Sequence, residues 1–498
     1  MTELLADRIA RHVRDIPHKL AVVDRRESVS YAEFWARVTR AAAGMRGMQR
    51  IAVLPTSDVG SLVAVTAAMR SGVGVVLLHR HLLAGQFAQV IELTQPGAVI
   101  AAPAGHRRLR KLGCENPVTN VDSDGPHGTA CAQSELLVGI TSGTTGEPKL
   151  FVRNQLSWAR TLDRSDAVFD VRRGDRVSTP GVLDHTHFLY GALHGLTRGA
   201  CVDLRPVAEA LISSPTHLYS VPTIAWDVVR SGIGTVPSVR EVLSSAARWP
   251  SSGRVALQTV LPNASLVHFY GASELSFVSY DRGVDPGAGT LFDGVDAEIR
   301  DGIVHVRSDM LFDGYLTRGG ISGGPVDGWM TVGDRGSLED VHGDMGGDTG
   351  GDTGGDMGGD TGGDMGGDMG SRALTLFGRD SETLIRGGLN VELTPIEAAA
   401  LDIPGVDEAA VVAIADERMG EAPALAVVVD SDGPSVSEIR RALRATLPSP
   451  SMPSRILLLA GLPRTPRGKL DRQALGATFA TQRATPETTN HIVSSPPS

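Results

Sequence analysis

Along the first part of the chain the apolar positions switch repeatedly between two periods. Tyr31 to Met45 carries apolar residues at helical spacing, Ile51-Ala52-Val53-Leu54 reads as a strand, and Ser61 to Arg70 reads as helix again. Val73 to Leu78 and Val99 to Ala102 read as further buried strands. Such alternation predicts βαβ units, with a parallel sheet covered by helices on both faces. It continues past Cys201, with strands expected at Thr216 to Val221 and Leu266 to Phe269. After Arg300 the pattern shortens to strands and turns, at Ile303 to Val306 and Gly328 to Thr331. Past Arg379 a smaller α+β region follows, with strands at Ala409 to Ile414 and Ala424 to Val429 and a helix from Val436 to Thr446. From about Thr481 the chain is polar and Pro-rich, which predicts a disordered tail.

Two apolar runs, Leu136 to Ile140 and Leu150-Phe151-Val152, flank the polar stretch "TSGTTGEPK", Thr141 to Lys149. The pattern predicts a tight loop between two buried strands. Glycines let successive backbone N–H groups converge on one spot, and the hydroxyls and the ammonium add donors, which together make a phosphate holder. On composition alone a plain Gly/Ser/Thr connector is the other reading. The spacing is not that of a Walker loop, and the dinucleotide fingerprint is absent from this stretch.

At 498 residues the chain is too long for one core, and 41% hydrophobic content is ample for globular domains. There is no apolar run of transmembrane length, and Met1 to Arg14 is amphipathic and mixed in charge, unlike a signal peptide. Cys114, Cys131 and Cys201 fit neither a disulfide framework nor a metal spacing, so a cytoplasmic protein is expected. The net charge of −10 comes mainly from Gly343 to Gly370, where Gly-Asp-(Met or Thr)-Gly repeats seven times; without those seven Asp the charge is −3. A near-neutral remainder argues against nucleic acid or stable membrane insertion. The repeat has no aliphatic residue for a calcium-binding β-roll and reads as a flexible insertion, with weak metal binding as the alternative.

Five motifs then occur in order: "TSGTTGEPK", "FYGASE" (Phe269 to Glu274), "GWMTVGD" (Gly328 to Asp334), "GRDSETLIRGGLNVELTPIE" (Gly378 to Glu397) and "PRTPRGKLDR" (Pro463 to Arg472). Together they resemble the phosphate, nucleotide, ribose, hinge and C-terminal lysine motifs of the adenylate-forming superfamily, over roughly Leu4 to Leu475. The resemblance implies an α/β fold. Residues 1–378 would form a large AMP-binding domain of parallel and mixed sheets with flanking helices and a short-strand subdomain, the 343–370 insertion included. Residues 379–480 would form a small mobile α+β domain, and 481–498 the tail.

The resemblance also implies that a carboxylate attacks the α-phosphate of ATP, giving acyl-AMP and pyrophosphate. The substrate is itself the nucleophile, so the protein's task is to bring two anions together and neutralise developing charge. On that reading Thr141, Ser142, Gly143, Thr144, Thr145, Gly146 and Lys149 hold the phosphates. Glu274, with Thr144, places Mg²⁺, a hard cation that prefers oxygen ligands. Tyr270, Gly271 and Ser273 lie at the adenine, and Asp334 and Arg379 at the ribose. Lys469 reaches the α-phosphate and the attacking carboxylate. Ser381 stands where the family usually has an acidic or Lys hinge residue, and Gly387 and Gly388 resemble the CoA tunnel.

The stretch Leu183 to Ala200 resembles the acyl pocket, with His185, His187, Phe188 and Tyr190 as its walls. Uncharged surroundings suit a plain acyl chain, so a fatty-acid–CoA ligase is expected, with ATP, Mg²⁺, CoA and a small carboxylic acid as the molecules it handles. The alternative is an acyl- or aminoacyl-AMP ligase that loads a separate carrier protein, the aminoacyl form being kept open by Asp184. A nucleotide-binding protein without catalysis is the third reading.

Overall fold

The computed structural model describes residues 3–80, 82–142, 148–246, 249, 251–340, 372–379, 383–386, 389–416, 420–430, 432–465 and 468–481. The Gly-Asp repeat, the loop residues 143–147, and Ser381, Gly387 and Gly388 lie outside the described residues, as does the tail from 482.

The chain folds as the α/β arrangement that its patterning predicts. Tyr31 to Gly44 forms a helix whose start is fixed by a reciprocal cap, Ser30 accepting from the Glu33 amide while the Glu33 carboxylate accepts from the Ser30 amide. Its apolar positions Tyr31, Phe34, Val38, Ala41 and Ala42 are all buried. The next helix, Val59–Ser71, is capped by Asp58, is buried nearly all round and ends at the left-handed Gly72. This helix packs between its neighbour and the strands Arg50–Leu54 and Gly74–Leu77.

Three sheets result among the described residues. One is parallel through Val99–Ala101, Arg50–Leu54, Gly74–Leu77 and Glu135–Ser142, and then turns antiparallel at Pro148–Asn154 and Gly314–Thr317. The largest runs in parallel through Cys201–Asp203, Arg176–Ser178, His217–Ser220, Glu241–Ser244 and Ser265–Ala272 before it too becomes antiparallel. The third is built after Thr383 and carries the long antiparallel pair Val406–Asp416 and Gly420–Val429. The strand Arg372–Arg379 belongs to the largest sheet, so that sheet reaches to the expected domain boundary. The predicted strand at Gly328 to Thr331 shrinks to the two residues Trp329–Met330, a short edge piece on Ile303–Arg307.

The helix Thr186–Thr197, which carries the expected acyl stretch, is almost wholly enclosed. Residues Phe188 to Thr197 are all buried, on the largest sheet and the N-terminal helix Leu5–Asp15. No helix among the described residues is long and apolar enough to cross a membrane.

Candidate active site

Parallel strands gather their C-terminal ends on one side of a sheet, and ligands of such folds bind there. The strand Ser265–Ala272 ends in Tyr270 and Gly271 and leads into Glu274 before Ser276–Arg282 returns antiparallel. Gly271 is required by space, because a Cβ there would lie 2.1 Å from the Ser276 carbonyl oxygen. The Tyr270 hydroxyl donates to Asp334 Oδ2 at 2.6 Å, which joins the expected adenine and ribose residues directly. Asp334 opens the strand Asp334–Asp340, whose register pairs it with Arg379. Two residues expected at the ribose are therefore ladder neighbours.

The strands on either side of the loop expected to hold phosphates pair antiparallel, Thr141 with Lys149 and Ser142 with Pro148. The Thr141 hydroxyl donates to the Lys149 carbonyl at 3.5 Å, and the Lys149 ammonium lies 5.7 Å from the Tyr315 ring centroid. That tyrosine also donates to Glu274 Oε1 at 2.9 Å. One aromatic side chain thus bridges the phosphate-loop lysine and the motif glutamate, which the sequence separates by more than a hundred residues.

Sequence reasoning missed Tyr315 and Arg153. Tyr315 reaches the site only because Gly314–Thr317 pairs with Pro148–Asn154, placing it opposite Phe151. Arg153 left one clue, a charge directly following the buried run Leu150-Phe151-Val152. Its buried guanidinium donates to the Ser273 carbonyl at 3.3 Å, to Ser157 at 3.1 Å and to Thr161 at 3.3 Å. Burial lowers its pKa to about 10, against the opposing pull of Asp313 and Glu274. Arg153 therefore fixes the Tyr270–Glu274 turn from beneath and balances the Glu274 carboxylate. The Phe312 amide further donates to the Glu274 carbonyl at 3.0 Å.

The acyl-pocket residues divide. His185 directly precedes the helix Thr186–Thr197 without a side-chain capping bond, and its ring meets Phe188 and His79. His187 lies against Phe188, Tyr219 and Phe269, the residue next to Tyr270. Phe188 is buried, with Gly181 pressed on its ring. Tyr190 is packed deeper, its hydroxyl bonded to Ser165 and its ring on Phe277. The Asp184 carboxylate is fully buried and accepts from the Arg80 amide at 3.2 Å, with Arg80 Nε at 3.4 Å and His79 Nε2 at 3.9 Å.

Lys469 is exposed on a turn in which the Thr465 amide donates to the Lys469 carbonyl at 2.7 Å. Gly468 there has a φ of +77° and Arg464 ties the turn to Glu408 at 2.6 Å. An ion pair of 2.8 Å between Arg230 and Asp407 links the large and small parts of the chain. Among the described residues no group of three or more His, Cys, Asp or Glu is arranged to hold a metal ion by itself. Glu274, joined through Tyr315 to the loop expected to hold phosphates, fits a cation that would take most of its ligands from phosphate and water.

The chain resembles known proteins in sequence and in fold. Residues 9–316 match the family model for AMP-binding enzymes, and residues 395–469 match that of the AMP-binding enzyme C-terminal domain. An uncharacterized acyl–CoA ligase of Bacillus subtilis is 27% identical over 491 residues, spanning 92% of this chain and 94% of that protein. A long-chain-fatty-acid–CoA ligase of Mycobacterium tuberculosis is 25% identical over 413 residues, 76% of this chain and 73% of its own. The crystal structure of ATP-bound MatB from Rhodopseudomonas palustris superposes with a TM-score of 0.79 at 22% identity, over 95% of this chain and 99% of that one, and so shares its fold. The chain belongs to the family of AMP-binding, adenylate-forming enzymes.

Proposed function

We propose that the protein activates a carboxylic acid with ATP and passes the acyl group to the thiol of CoA. The observation that supports this most is the convergence of Lys149, Tyr315, Glu274, Tyr270 and Asp334 at the strand ends of two sheets. In the first step the acid's carboxylate oxygen bonds to the α-phosphorus as pyrophosphate leaves. Thr141 and Lys149, with Ser142, Gly143, Thr144, Thr145 and Gly146, hold the departing phosphates, and Asp334 with Arg379 takes the ribose hydroxyls. Glu274 would hold Mg²⁺, which when bound would supply positive charge beside the departing phosphates. In the second step the CoA sulfur attacks the acyl carbon, AMP leaves, and the thiol proton passes to solvent.

Lys469 serves the first step from the small unit, residues 379–480, which turns about a hinge near Ser381 and then offers Gly387 and Gly388 to the thiol. The acid has an uncharged body, the class that includes fatty acids. Asp184 is engaged by Arg80, and an incoming ammonium would have to displace that guanidinium. Incubation with ATP, a panel of acids, and either CoA or a carrier protein tests the reading. It expects acyl-CoA and AMP; thioester formed on the carrier protein but not on CoA would replace the acceptor, and no acid-dependent release of pyrophosphate would defeat it.

A further inference from the structure

The first turn of the helix Thr186–Thr197 sets His187 among three rings, with centroids 5.0 Å away for Phe188, 5.4 Å for Tyr219 and 5.5 Å for Phe269. Its Nε2 is sealed from solvent and has no hydrogen-bond partner among the described residues. The neighbouring Ser220 backbone favours a proton on the ring. A neutral imidazole that holds its proton at Nδ1 leaves Nε2 as an acceptor. Burial lowers the pKa to about 3, so the ring is neutral and this lone pair is free at ordinary pH. A buried acceptor without a partner costs stability unless a bound molecule supplies the donor. Phe269 precedes Tyr270 on one strand, so the ring that His187 meets belongs to the strand that carries the nucleotide motif.

The wall beyond His187 is closed. The Tyr219 hydroxyl donates to His194 Nδ1 at 2.8 Å, and His194 Nε2 donates to Asp166 Oδ1 at 2.9 Å. Gly191 presses on the same ring, where a Cβ would come within 2.6 Å of Tyr219. Behind it Tyr190 and Phe277 lie 4.8 Å apart and Phe269 and Phe277 4.6 Å apart, all buried. A long alkyl chain would have to push aside rings that hydrogen bonds hold in place.

We propose that the acid is compact, aryl or short-alkyl, and carries a neutral O–H or N–H donor that His187 Nε2 accepts. This rests on the acid-activation reading. The test is ATP–pyrophosphate exchange by the full-length protein with matched acids: hydroxy- and amino-benzoates against benzoate, hydroxyalkanoates against the plain short acids, and dodecanoate and hexadecanoate as long chains. One donor-bearing compact acid should exceed its unsubstituted partner by about tenfold or more in kcat/KM. His187→Leu should bring that ratio close to one without lowering the melting temperature, and His187→Gln, which keeps an acceptor, should restore part of it. Long-chain acids outperforming every compact acid would overturn the proposal while leaving acid activation intact, and so would an equal loss for both members of a pair in His187→Leu. A folded protein that exchanges with no acid at all would refute the activation reading, and this inference with it.

Discussion

The Tyr270 hydroxyl donates a 2.6 Å hydrogen bond to Oδ2 of Asp334, which fixes the carboxylate expected to meet the ribose to the ring expected to meet adenine. A hydrogen bond to a charged group contributes about 1.5–3 kcal/mol. Tyr270→Phe should therefore weaken ATP binding about tenfold, and Asp334→Ala more. Because the residues share the bond, the double variant should lose less than the sum of the two single losses. Calorimetric titration of ATP into the three variants checks this, and strict additivity would show the contact to be idle.

Arg153 gives a stability prediction. Replacing it by Met leaves the Ser273 carbonyl without this donor and the nearby Glu274 and Asp313 carboxylates without their buried cation. Breaking a buried charge arrangement on one side costs about 3–5 kcal/mol. Urea unfolding of Arg153→Met should show a loss of that order. A loss below about 1 kcal/mol would mean the guanidinium does not organise the turn.

Acid should destabilise the fold through its buried imidazoles. Burial lowers His187 and His268 to about 3 and His217 to about 4, against about 6.5 in an unfolded chain. Between those values the unfolded chain takes up protons that the folded chain refuses, so stability falls as pH drops. Each imidazole contributes about 1.4 kcal/mol per pH unit once below about 6.5. Glu241, beside His217, works in the opposite sense because burial raises its carboxyl pKa, so His187 and His268 dominate. Urea midpoints should decline from about pH 7 to about pH 5, and His187→Leu should make the decline shallower by one proton's share. A flat profile would contradict this.

The ends of the Gly-Asp repeat can be joined. Asp340 and Arg372 are register partners in one antiparallel ladder, with Arg372 Nε 3.5 Å from Asp340 Oδ1. Excising Gly343 to Gly370 leaves Val341, His342 and Ser371 to close a hairpin of ordinary length. The shortened protein should keep its melting temperature within a few degrees and its pyrophosphate exchange, since loop length enters closure entropy only logarithmically. Loss of exchange in a folded deletion variant would give the repeat a role in the first half-reaction.

These relationships were unequally legible in the sequence. The helix Val436–Thr446 appears with its predicted bounds because Ser435 and Glu438 form a local capping box that the sequence displays. The phosphate hairpin was legible for the same reason, two apolar runs around a turn-rich stretch. Tyr315 was not, since its place beside Lys149 and Glu274 follows from a strand pairing between distant segments that no local pattern encodes. Arg153 and the Tyr219–His194–Asp166 chain were hidden likewise: a buried polar group announces itself only when its partners, far apart in sequence, are brought to it. His187 was visible as a residue of the acyl stretch, but its unmet nitrogen became visible only with the surrounding rings in place.

On the proposed mechanism one site performs two half-reactions, with Lys469 serving only the first. The measurement is to supply Lys469→Ala first with ATP and acid, and then with ready-made acyl-AMP and CoA. Acyl-AMP formation should fall about 10²-fold or more, as it does when a preorganised charge stabiliser is lost. Thioester formation from acyl-AMP should stay near the wild-type rate. Equal damage to both half-reactions, in a variant that melts like the wild type, would contradict the account.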